Sequence, residues 1–274
     1  MRFRRPLPTI RGTVLACCLS LAGFGPHGHA QAPQQPYQPK IGQEGKDVVW
    51  VPSPDPLVEK MLDLAQVTDK DFLMDLGSGD GRTVIAAAKR GARALGVEYN
   101  HELVELSRRN AESAGVAARA SFVEADIFET DLSKATVITM FLLPQLNLKL
   151  RPALLELRPG TRLVSNSFSM DDWQADEKTN IDGTCALYCT ALFWVVPAKV
   201  AGSWQTPQGP LVLQQQFQMI TGSLAGAAIA DGRLRGARIE FTLGDTRYTG
   251  LVEGNTIRGT SSGSNSPWTA TRTP

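Results

Sequence analysis

Histidine is nearly missing from this chain. There are three in 274 residues, and His27 and His29 fall within the first thirty, leaving only His101 downstream. A Ser-His-Asp hydrolase would have to use His101 as its base, and a histidine-rich metal centre has too few ligands. Of four cysteines, Cys17 and Cys18 also lie near the start, so only Cys185 and Cys189 remain beyond it. Net charge is close to nil at +1, which argues against bulk electrostatic capture of nucleic acid. The balance is uneven along the chain, at +4 over residues 1–30, −6 over 31–197 and +3 over 198–274.

The start carries its own pattern. Arg2, Arg4, Arg5 and Arg11 form a basic stretch, and residues 13–24 are mostly apolar. That run is about 12 residues, short of the roughly 20 a membrane-spanning helix needs. Gly28-His29-Ala30 then ends in the small residue that signal cleavage favours. Residues 1–30 are therefore expected to be an export signal, with the mature protein periplasmic. An uncleaved leader acting as a membrane tether is the alternative, and no other membrane span is expected. Gln, Pro and Gly are frequent after it, so residues 31–47 are expected to be a flexible linker.

Ser53-Pro54 predicts a helix start, with a capping side chain followed by proline at the first helical position. From residue 72 short apolar runs alternate with amphipathic stretches. Strands are predicted at 72–76, 94–98, 121–124, 136–141 and 162–168, and helices at 80–90, 100–114 and 144–157. Near-continuously apolar strands separated by helices predict an α/β fold, a Rossmann-like doubly wound, mostly parallel sheet. Asp182-Gly183 reads as a hairpin turn from 178–181 into a long strand ending near Val196, which predicts a C-terminal antiparallel pair. The domain boundaries are 48–197 for this unit and 198–274 for a small all-β meander, a barrel or half-barrel with turn signals at Asp231-Gly232, Gly244-Asp245 and Gly254-Asn255.

The chemistry concentrates in Asp75-Leu76-Gly77-Ser78-Gly79-Asp80-Gly81-Arg82, which follows a strand and opens a helix. A dinucleotide fingerprint would place its third glycine where Arg82 stands, so a nicotinamide oxidoreductase is disfavoured. Glycines at 77, 79 and 81 with acids at 75 and 80 instead suit a cationic ligand approaching the turn closely. Glu98 ends the second strand, where a carboxylate can accept both hydroxyls of a ribose. Asp126 follows the third strand, where it can receive an exocyclic amine, with Ile127 beside a flat base. Three acids at successive strand ends predict one nucleoside site.

On these residues, the stretch 48–197 resembles the S-adenosylmethionine-dependent methyltransferases of the seven-strand class I. Trp50-Val51-Pro52-Ser53-Pro54 and Phe141-Leu142-Leu143-Pro144-Gln145-Leu146-Asn147 make it similar, within that class, to bacterial proteins related to mitochondrial protein-lysine methyltransferases. The resemblance implies that Asp75, Gly77 and Gly79 line the methionine end of S-adenosyl-L-methionine, Glu98 the ribose and Asp126 the adenine. Ser78, Gly81, Tyr99 and Ile127 complete the expected cofactor set, with no metal. Relatives often carry tyrosine at the end of the fourth strand, where this chain has Met140, a departure on the acceptor side rather than the cofactor side.

The sulfonium is an activated methyl donor, so such an enzyme mainly aligns donor and acceptor and needs neither a nucleophile nor histidine. The implied activity is methyl transfer to an acceptor such as a protein lysine amine, with Trp50, Pro52, Thr139 and Phe141 as acceptor-pocket candidates. No nucleic-acid partner is expected, and the protein is expected to be a monomer. The alternative is an exported, non-catalytic S-adenosylmethionine-binding module whose C-terminal β domain holds a partner. Cys185 and Cys189 read as buried thiols, because four residues of strand would hold them roughly 13 Å apart, with pairing as the alternative that an exported setting allows.

Overall fold

A computed structural model describes residues 8–9, 37–181, 183, 185–262 and 266–273. Of the expected export signal only residues 8–9 are described, and residues 31–36 of the expected linker lie outside the described residues. Among the described residues no helix is long and apolar enough to cross a membrane.

The α/β unit begins with α1 (Asp55–Leu64), followed by β1 (Phe72–Leu76), α2 (Arg82–Lys89), β2 (Arg93–Glu98), α3 (His101–Ser113) and β3 (Ala120–Glu124). Then come β4 (Val137–Met140), α4 (Pro144–Leu155), β5 (Arg162–Asn166), β6 (Glu177–Asn180) and β7 (Thr190–Val195). The strands form one seven-stranded sheet in the order β3-β2-β1-β4-β5-β7-β6. β1 to β5 run parallel, and β7 pairs antiparallel with both β5 and β6. The expected doubly wound sheet with an antiparallel pair is thus present. β7 is much shorter than expected, because the described residues before it, Gly183 and 185–189, form no strand; Asp182 of the expected hairpin turn lies outside the described residues.

Helical spacing explains which faces are covered. α1 buries Leu57, Val58, Met61 and Leu62, and α2 buries Val84, Ala87 and Ala88, in one core with Val104 and Ala111 of α3. Each large side chain of this kind contributes about 1.5–3 kcal/mol on leaving water. α4 packs Leu150 and Leu154 into a second core with Trp173 and Trp194. The caps differ from expectation at one helix. Pro54 precedes α1 with no side-chain cap, and Ser53 Oγ instead accepts from Asn166 Nδ2 at 2.9 Å, tying the helix start to the end of β5.

The C-terminal strands are β8 (Gly202–Thr206), β9 (Gly209–Gln216), β10 (Met219–Leu224), β11 (Ala227–Ala228), β12 (Ala230–Arg235), β13 (Arg238–Leu243), β14 (Thr246–Glu253), β15 (Thr256–Ser261) and β16 (Pro267–Arg272). All pairings are antiparallel, and the meander closes on itself where its last strand, β16, pairs with its first, β8, through Thr271 opposite Gln205 and Arg272 opposite Trp204; β11 only flanks β10. Alternate residues point inward, placing Trp204, Leu211, Leu213, Ile239, Phe241, Ile257 and Trp268 in a filled interior. This barrel docks on the β6 edge of the α/β unit. Arg233 pairs with the buried Asp176 at 2.7 Å, Gln218 Nε2 donates to Gln174 O at 2.8 Å, and Phe217 stacks on Trp173.

Candidate active site

Strand order reverses between β1 and β4, and in open α/β sheets the crevice at such a switch point, beyond the carboxyl ends of the strands, is where ligands bind. The described cleft there is lined by Asp75, Gly77, Ser78 and Gly79 after β1, by Glu98 and Tyr99 at the end of β2, by Asp126 and Ile127 after β3, and by Phe141 after β4. Trp50 and Pro52 enter from the segment before α1. Two expected residues fall elsewhere. Gly81 is the N-cap of α2, at φ 81°, facing Phe122 and Ser107 rather than the cleft. Thr139 is fully buried beneath the cleft floor and donates to Asp75 Oδ1 at 2.7 Å, so it cannot meet an acceptor directly.

Asp75 is the electrostatic focus. It is 6% exposed and has no ion-pair partner among the described residues, and desolvation pushes its carboxyl up to about 7. The Thr139 hydroxyl opposes that shift, and the nearby charge of Glu98 adds to it. A buried carboxyl in this state, at the lip of an open crevice, fits a ligand that brings its own positive charge. Asp80, expected to share this role, does not: Arg82 grips it through Nε at 3.0 Å and Nη2 at 2.6 Å. The acidic mouth is therefore narrower than the sequence suggests.

The other two acids are already oriented by backbone. Glu98 accepts from the Gly79 amide at 2.9 Å through one oxygen and from the Asn100 amide at 3.0 Å through the other, fixing the carboxylate against the glycine turn. Asp126 accepts from the Phe128 amide at 2.9 Å, and its second oxygen meets Lys46 Nζ at 2.6 Å. The Lys46 contact and the Phe128 amide hold the Asp126 carboxyl below the usual carboxylate range.

Gly79 shows why the turn must be glycine. Its φ is 54°, and a Cβ there would stand 2.7 Å from Trp50 Nε1. Ser78 Oγ is buried beside Gly96 and lacks a hydrogen-bond partner among the described residues.

Three features were not expected from sequence. First, residues 42–50 fold back as a strap rather than a free linker: the Gly42 amide donates to Trp50 O and the Trp50 amide to Gln43 O, both at 2.9 Å. Lys46 of this strap also lies 4.3 Å from the centre of the Tyr99 ring, so it occupies the Asp126–Tyr99 corner. Nothing in the local composition marks Lys46, whose role depends on a partner 80 positions away. Second, Cys185 and Cys189 form a disulfide, with Cα atoms 5.9 Å apart. The expectation of separate thiols assumed extended strand; the chain bends here instead, with Tyr188 at φ 59°. The expected export signal was the clue that favoured oxidation. Third, Phe141, Phe168 and Tyr188 pack as a trio beside the cleft.

Comparison with known proteins follows the same lines. Residues 75–177 match the family model described as the ANTKMT methyltransferase domain. A protein-lysine N-methyltransferase of Saccharolobus islandicus is 45% identical over 138 residues, covering 49% of this chain and 86% of that protein. The mouse adenine nucleotide translocase lysine N-methyltransferase is 39% identical over 104 residues, 37% of this chain, and the match covers 45% of the mouse protein. Among solved structures, an RNA methyltransferase from Salinibacter ruber in complex with S-adenosyl-L-homocysteine is 47% identical, with a TM-score of 0.52, and the match covers 55% of this chain and 96% of that one.

Proposed function

We propose, from the premise that this chain belongs to the class I S-adenosylmethionine-dependent methyltransferases related to protein-lysine methyltransferases, that it methylates the side-chain amine of lysine in a protein and does so in the periplasm. The cofactor is S-adenosyl-L-methionine, which when bound supplies an electrophilic methyl on a positively charged sulfur. The observation that carries the reading is Asp75, a buried carboxyl with no cation beside it among the described residues, at the switch point of the sheet.

The chain's own residues divide the work. Asp75 and the turn at Gly77 and Gly79 receive the cationic methionine end, Glu98 the ribose hydroxyls, and Asp126 with Ile127 the adenine once Lys46 withdraws. Trp50, Pro52 and Phe141 are left to face the acceptor. The acceptor amine must be uncharged when it attacks the methyl, and a cleft lined by Trp50, Met140 and Leu142 favours the neutral form by excluding water.

Lysine is favoured over RNA, the acceptor class of the Salinibacter ruber protein, by charge. Residues 31–197 sum to −6, the wrong sign for a phosphate backbone. The periplasmic assignment is supported by the basic-apolar-small pattern of residues 1–30 and by the Cys185–Cys189 disulfide, a bond that persists in oxidising compartments.

The test is transfer of labelled methyl from S-adenosylmethionine to periplasmic proteins, to oligo-lysine and to RNA offered side by side, with amino-acid analysis of the protein product. Labelled methyl-lysine is the expected result. Label confined to RNA would move the acceptor to another class, and donor binding without any transfer would leave the exported binding module. The mature N-terminus read by mass spectrometry is expected to be Gln31.

A further inference from the structure

Phe141, Phe168 and Tyr188 come from three separate segments: the loop after β4, the loop after β5, and the loop that enters β7. Their rings nevertheless converge. Phe141 and Phe168 are near-parallel with centroids 6.0 Å apart, and Tyr188 approaches Phe141 edge-on at 5.0 Å and Phe168 at 5.7 Å. Phe141 is also a wall of the cofactor cleft, so the trio continues that cleft toward β5 and β7, on the opposite side of β1 from Glu98 and Asp126.

This arrangement is not ordinary core. Tyr188 is 37% exposed and its neighbour Leu187 is 71% exposed. Tyr188 holds φ 59°, and Ser167, which immediately precedes Phe168, holds φ 61°. Left-handed backbone at two non-glycine residues is costly and persists only where its surroundings impose it. For Tyr188 the constraint is visible. The Cys185–Cys189 disulfide closes a five-residue loop, and the Ile181 amide anchors its end by donating to Cys189 O at 3.0 Å. Cross-linking so short a loop removes little freedom from the unfolded chain, so the bond serves local shape more than global stability. That shape delivers one ring onto two others at the edge of the cleft.

We propose that the disulfide-closed loop 185–189 is the acceptor-recognition element, with Tyr188, Phe141 and Phe168 forming an aromatic wall for the aliphatic stem and ammonium of an incoming lysine. This rests on the proposed lysine activity and adds the residues that select the acceptor. Apolar ring faces suit the methylenes of a lysine stem, and their quadrupoles attract the cation before it gives its proton to solvent water and enters the cleft as the neutral amine. Tyr188 is a positioning residue: it sets where the stem lies, and the carboxylates that receive the donor are untouched by it.

The experiment compares wild type, Tyr188→Ala, Tyr188→Phe and the double variant Cys185→Ser/Cys189→Ser as full-length proteins. Three readouts are taken: methyl transfer to oligo-lysine, binding of oligo-lysine to protein saturated with S-adenosylhomocysteine, and S-adenosylmethionine affinity. Tyr188→Ala and the double cysteine variant should each raise KM and weaken oligo-lysine binding by about three- to tenfold, leaving donor affinity within about twofold. Tyr188→Phe should retain wild-type values, since the ring and not the hydroxyl makes the contact. Equal KM in wild type and Tyr188→Ala, or donor affinity falling in parallel with acceptor affinity, overturns the proposal while leaving the lysine activity intact. Absence of transfer to, and binding of, oligo-lysine by the wild type overturns both.

Discussion

Replacing Asp75 with asparagine should make the free protein more stable and the donor site useless. The side chain keeps its size, and the amide oxygen of the introduced asparagine can still accept from Thr139, as Asp75 Oδ1 does at 2.7 Å. What disappears is the charge. Burial pushes this carboxyl from 3.8 up to about 7, so the folded protein holds its proton more tightly than the unfolded chain does. Stability from this group is therefore intact below about pH 4, is lost progressively as pH rises to about 7, and stays lost above it. The interval is about three pH units, or about 4 kcal/mol as a ceiling. At pH 8 the asparagine variant should melt roughly 10 °C higher than wild type, and the gap should close toward pH 4.

Donor binding should behave in the opposite sense. A cation recruits ionised Asp75, so below about pH 7 wild-type affinity should fall by up to about tenfold per pH unit, with proton release on binding, and the variant should bind weakly at every pH. Thermal melts and titration calorimetry in buffers of different ionisation enthalpy read both effects. Equal melting at pH 8, together with wild-type donor affinity flat from pH 5 to 8, would refute the reasoning.

Other consequences are as direct. Lys46→Ala frees the Asp126–Tyr99 corner and should tighten donor affinity, measured by the same titration, because the amine now held at 2.6 Å no longer competes for that carboxylate. Gly79→Ala places a methyl 2.7 Å from Trp50 Nε1 on left-handed backbone, and should cost roughly 1–3 kcal/mol in denaturant melts while abolishing donor binding. Trp204→Ala removes a fully buried side chain of the barrel and should cost about 3–5 kcal/mol, yet leave donor affinity unchanged below the melting transition.

The sequence was most informative where local pattern and chemistry coincide. The run from Phe72 to Arg82 announces strand, turn and helix together, because apolar continuity, glycine at left-handed positions and an acid all fall within that short stretch. Glu98 and Asp126 were legible for a related reason: both sit at or just beyond the ends of strands whose β-branched and apolar residues mark them. What escaped was long-range pairing. Ser53 serves Asn166 rather than its own helix, and Thr139 supports Asp75 from below, and each depends on packing that spacing does not encode. Cys185 and Cys189 misled because extended spacing was assumed for a segment that in fact bends at Tyr188. The C-terminal strands were foreseen as a meander forming a barrel or half-barrel; full closure rests on β16 meeting β8, a pairing between the two ends of the segment that local composition does not mark.

One titration bears most directly on the cleft: S-adenosylmethionine, and separately NAD, added to the purified full-length chain at pH 8. One-site binding of the first with no measurable heat from the second is the predicted outcome. Binding of NAD instead, or silence with the sulfonium compound, would contradict the assignment of the cleft.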